Sequence, residues 1–89
     1  MNYQKEPDPE IARQAILDIV QNQIRDNNPP ETKETLDRLV AEGISEEDAT
    51  KLIACAVSTE IFHTLKYQET FNEGRYVENL KKLPKLPWE

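Results

Sequence analysis

Glu60 and His63, three residues apart in Glu60-Ile61-Phe62-His63, are the side chains best placed to do chemistry in this sequence. On a helix that spacing puts both on one face. Glu-x-x-His is also how di-iron carboxylate bundles present two ligands from one helix. Such a centre needs a second motif and further glutamates, and the chain has a single histidine. Only a symmetric dimer could complete it. The competing reading is a polar pair near a helix C-terminus, where the helix dipole favours a cationic imidazole. A metal-binding protein or metalloenzyme built on Glu60 and His63 is therefore the alternative reading, and the expectation is no metal and no cofactor.

Nucleophilic chemistry finds less support. Ser45 precedes Glu46-Glu47-Asp48 and reads as a helix cap. Ser58 lies in an apolar helix, where its hydroxyl is expected to bond back to the preceding turn. Neither serine has an evident base other than His63. Cys55 sits in Ile53-Ala54-Cys55-Ala56-Val57 and reads as a small buried hydrophobe. The one cation within helical reach is Lys51, too little for an activated thiolate. Gly43 and Gly74 are isolated, so no phosphate-cradling loop exists. The acidic run 46–48 lacks the alternating oxygen ligands of a calcium loop, and negative charge at a helix start explains it. No catalytic residue is assigned, and an enzyme is not expected.

The elements that would carry these residues are helical. Two glycines and no sustained alternation leave strands without support. Asp8-Pro9 is a cap followed by a proline suited to the first helical position, opening a helix over 9–26. Asn27-Asn28-Pro29-Pro30 ends it. Asn28 is read as the next cap, with Glu31 at the capping-box position, for a helix over 29–42 with Leu36, Leu39 and Val40 as its apolar stripe. Gly43 stops that helix in a left-handed turn and Ser45 caps a third over 46–67. So short a connection requires a hairpin. Leu52, Ile53, Ala56, Val57, Ile61, Phe62 and Leu65 spread around most of the third helix, as expected of the central member of a bundle. Gln68 to Phe71 is a loop, and Asn72 caps a fourth helix over 73–83 bearing Tyr76, Val77, Leu80 and Leu83. Pro84 begins an extended tail, 84–89. The reading is a single all-α domain over residues 1–89, a four-helix bundle around a central hairpin.

Composition narrows the partners. The chain has 89 residues and a formal net charge of −6. Residues 1–73 hold seven basic against fifteen acidic side chains, and residues 74–89 four against two. An acidic body repels phosphate backbones, so no nucleic-acid partner is expected. No stretch approaches the ~18 apolar residues of a membrane helix, and Met1 to Glu6 do not resemble a signal peptide. The expectation is a cytoplasmic protein without a membrane partner. Two features favour a protein partner. The first helix has a wide apolar arc, with Ile11, Ala15 and Ile19 on one side and Leu17, Val20 and Ile24 towards the other. Two such helices can present more apolar surface than one protomer covers, which a homodimer would resolve. In the tail, Leu83, Leu86 and Trp88 alternate with prolines. Such a segment either docks in an aromatic groove or packs Trp88 back on its own bundle, and the second is favoured. Leu17, Val20, Ile24, Leu86 and Trp88 are the expected interaction residues.

Asn28-Pro29-Pro30-Glu31, the turn Glu42-Gly43-Ile44-Ser45-Glu46-Glu47-Asp48-Ala49, Glu60-Ile61-Phe62, and Arg75-Tyr76 with Leu80 occur in an order that resembles an uncharacterised bacterial family. The chain is similar, over residues 28 to about 83, to the C-terminal half of the domain of unknown function catalogued as eighteen forty-one. The resemblance implies a helical fold and a prokaryotic origin, without an activity. Members of that family tend to carry a histidine and a glutamate early in the long third helix. Lys51 and Cys55 stand there in this chain, so no polar site is carried over. The hairpin also looks like ubiquitin-associated three-helix modules, in a pattern generic to capped helical hairpins. The function expected is a non-enzymatic helical interaction or regulatory module that self-associates.

Overall fold

The structure is a computed structural model that describes residues 8–89. The residues read as carrying no signal sequence lie outside it. Four helices follow in order: α1 Pro9–Asp26, α2 Pro30–Ala41, α3 Glu46–Tyr67 and α4 Glu73–Lys82. No strand occurs among the described residues. Local chemistry accounts for most boundaries. Asp8 accepts from the Glu10 amide, Ser45 from the Asp48 amide and Asn72 from the Arg75 amide, each answering a donor that the first turn leaves free. At the other ends Asn27 and Gln68 take left-handed conformations that terminate α1 and α3.

The turn at Gly43 is the tightest junction. Gly43 has φ +99°, its amide donates to the Val40 carbonyl, and the Ile44 amide donates to the Leu39 carbonyl. These two bonds make a Schellman stop. Ser45 starts α3 two residues later, so α2 and α3 fold back as a hairpin. Both helices pack against all the others, whereas the backbones of α1 and α4 stay apart and the two meet through side chains such as Gln23 and Tyr76. The hairpin is thus central, as expected.

Three local expectations need correction. Asn28 does not cap α2. Pro29 occupies the cap position with no side-chain bond, and Pro30 is the first helical residue. The second proline itself has the fixed φ of a first turn, which moves the start one residue on. Val40 is exposed, and the inward stripe of α2 is Thr32, Thr35, Leu36 and Leu39, a regular 3–4–7 spacing in which two threonines replace the anticipated valine. The tail is turned rather than extended: the Lys85 amide donates to the Lys82 carbonyl and that of Glu89 to the Leu86 carbonyl.

The core gathers Val20, Leu36, Leu39, Ala49, Ile53, Ala56, Val57, Tyr76, Leu80 and Leu83, at least one from every helix. A buried polar knot ties three helices together. Gln23 Oε1 of α1 accepts from Thr32 Oγ1 of α2 at 2.7 Å and from the Tyr76 hydroxyl of α4 at 2.8 Å. Arg38 of α2 donates to the Leu80 and Leu83 carbonyls, each at 3.0 Å, and so satisfies the free C-terminal end of α4.

Candidate functional site

Glu60 faces inward because it continues the stripe Ile53, Ala56, Val57 by three residues, and it is 1% exposed. A carboxylate there needs a partner, and α4 provides one. Arg75 Nε donates to Glu60 Oε1 at 2.8 Å and Arg75 Nη2 to Oε2 at 2.6 Å. The Asn72 amide donates to Oε2 at 3.1 Å. The Arg75 bonds hold the Glu60 carboxyl below its ordinary range against the opposing effect of burial.

Arg75 Nη2 also lies 2.8 Å from His63 Nδ1. Arginine can only donate, so Nδ1 is the acceptor and the proton sits on Nε2. Glu69 closes the cluster, 3.6 Å from His63 and 3.7 Å from Arg75. Glu60 and His63 are therefore joined through a guanidinium that engages both carboxylate oxygens and the ring nitrogen facing them. No group of three or more metal-ligating side chains occurs among the described residues. The inward position of Glu60 was readable from its spacing. Its partner was not, because Arg75 reaches it from another helix.

The expected interaction residues do not form one surface. Val20 is fully buried in the core, which removes it from any interface. Ile24 and Leu86 are half-buried and pack against the core. Leu17 is half-buried, while Trp88 is 65% exposed. Leu17 and Trp88 do share a groove. Ala12, Ile16 and Leu17 of α1, with Ala54 and Cys55 of α3, line a hollow of about 410 Å³ that Trp88 borders. Arg13 and Lys51 stand at its edge, each paired with an acidic neighbour on its own helix, Glu10 and Glu47.

The most exposed apolar residues are not among the expected interaction residues. Phe62 and Leu65 of α3 are 68% and 73% exposed, and Ile11 of α1 is 69% exposed. The apolar circumference of α3 thus has two origins: a face turned to the core and a ridge turned to solvent. The first two turns of α1, residues 9–15, are exposed throughout. Cys55 is half-buried at the groove, and burial pushes its thiol up, away from reactivity. Ser58 also lines the groove and is exposed, and the bonds back to the preceding turn are made by Thr50 and Thr59 instead.

Protein-family models, curated proteins and solved structures were compared with this chain, and none matches. No helix among the described residues is long and apolar enough to cross a membrane.

Proposed function

We propose that this chain is a non-enzymatic helical module that acts by binding protein, including a second copy of itself. The observation that carries this reading is the apolar surface spanning α1 and α3: the groove bordered by Trp88 and, beside it, the uncovered Phe62 and Leu65. Large apolar side chains grouped beside a concave apolar hollow are the usual mark of an interaction site. The net charge of −6 supports a protein partner over a nucleic acid. A cytoplasmic setting belongs to the same reading, since the single cysteine, a free thiol, has no internal disulfide partner.

The metal reading of Glu60 and His63 loses ground because Arg75 engages both. It would require the guanidinium to leave a buried carboxylate before any ion could approach. Elemental analysis of the purified chain tests this directly: stoichiometric metal that is lost in His63→Ala would restore the metal reading. Sedimentation equilibrium of the full chain from low micromolar to millimolar concentration tests the proposal itself. A mass rising above one chain with concentration is expected. A constant monomer mass throughout, with no partner bound, would remove self-association.

A further inference from the structure

The outward face of α3 is ordered along its length. At 100° per residue, Cys55, Ser58, Phe62 and Leu65 fall within an arc of about 80°, opposite the face that Ala49, Ile53, Ala56 and Glu60 turn to the core. This ridge changes character along its length. At Cys55 and Ser58 the side chains are small and belong to the groove beside Ala12, Ile16 and Trp88. One to two turns further on, Phe62 and Leu65 project into solvent. A hollow and a knob therefore share one ridge, with centres about 10 Å apart at 1.5 Å rise per residue.

We propose that a second copy docks on this ridge with its α3 antiparallel to the first, around a two-fold axis that crosses the ridge at the level of residue 60. In that arrangement Phe62 and Leu65 of each copy enter the groove of the other. The proposal rests on the self-association reading and gives it a register. Shape supports it, because a two-fold axis uses one surface twice and so requires a patch that complements itself. A hollow and a knob at equal distances from one point meet that requirement.

Charge supports the antiparallel direction. The first turn of α3 carries Glu46, Glu47 and Asp48, and its last turn carries Lys66. A parallel pair would bring the two acidic turns together and stack Phe62 against Phe62, leaving both grooves empty. The antiparallel pair separates the acidic turns and opposes the two helix dipoles favourably. It also sets Lys51 of each copy near the C-terminal end of the other's α3, where carbonyls attract a cation.

A charge exchange tests the register on the full chain. Positions 58 and 62 lie at equal distances from residue 60, so each faces the other across the axis, twice per dimer. Phe62→Glu alone and Ser58→Lys alone are each expected to weaken dimerisation at least tenfold. The double variant Ser58→Lys/Phe62→Glu is expected to recover at least tenfold over Phe62→Glu. Both positions are exposed, so the far-ultraviolet circular dichroism of all variants should match that of the original chain. A dimer insensitive to Phe62→Glu, or a double variant without recovery, overturns this register while leaving self-association standing. Growth into open chains overturns the two-fold axis. A monomer at every concentration overturns both, and an amphipathic helix of another protein would then be the occupant to seek.

Discussion

Removing the hydroxyl of Tyr76 should destabilise the protein at neutral pH and stabilise it in strong alkali. The ring is fully buried, and its hydroxyl donates to Gln23 Oε1 at 2.8 Å and lies 3.1 Å from Thr32 Oγ1. Tyr76→Phe deletes one good hydrogen bond, and Gln23 Oε1 still receives one from Thr32. The cost at pH 7 is about 1 kcal/mol. Burial pushes the Tyr76 hydroxyl up from 10.0 to about 12, so the unfolded chain loses this proton before the folded chain does. Between those values the unfolded state binds fewer protons, and stability falls as pH rises. One unit above the unfolded value the loss is about 1.4 kcal/mol. It cancels the benefit of the hydroxyl near pH ~11, above which the phenylalanine variant is the more stable chain. Every other group is common to both proteins, so its contribution drops out of the difference. Urea unfolding followed at 222 nm, on both chains at pH 7 and at stepwise higher pH, measures that difference. A gap of constant size at every pH would refute the burial of this hydroxyl.

Three further outcomes are expected. The Glu60 carboxyl is lowered from 4.5 by the Arg75 bonds, so its contribution is complete above that value and lost as pH falls through the folded one. Acid unfolding of Glu60→Gln should therefore show a flatter stability profile below pH 4.5 than the original chain. Gly43→Ala meets no atom within 4 Å, yet the φ of +99° strains any L side chain, and thermal melts should show a loss of about 1–2 kcal/mol. The Thr64 hydroxyl is buried without a partner, so Thr64→Val should be neutral or stabilising by about 1 kcal/mol in the same melts.

The helices were legible because their ends are written in short-range chemistry. Asp8-Pro9, Gly43, Ser45 and Asn72 each act on backbone groups within four residues, and each acts as its type implies. The double proline was ambiguous for the same reason: either proline can open a helix, and only neighbouring geometry selects Pro30. Long-range pairings were not legible. Arg75 reaches Glu60 across fifteen residues, Arg38 reaches the end of α4 across more than forty, and Tyr76 reaches Gln23 across fifty-three. Nothing in the spacing of those residues announces the partner. Which apolar residues stay exposed was not legible for a related reason. Apolar arcs on α1 and α3 exceed what one face can bury, but which part of each arc is covered depends on where the helices cross. Val20 is covered by the bundle, whereas Phe62 and Leu65 stay open to solvent.

Dilution of isotopically labelled full chain, followed by amide and indole resonances, tests the central claim most directly. If α1 and α3 bind a second copy through the groove and ridge, concentration-dependent shifts should map to residues 12–17, residues 54–65 and the Trp88 indole. The buried Val20, Tyr76 and Leu80 amides should stay in place. Shifts concentrated on α2 or α4 would contradict the account, and so would a spectrum unchanged up to millimolar concentration.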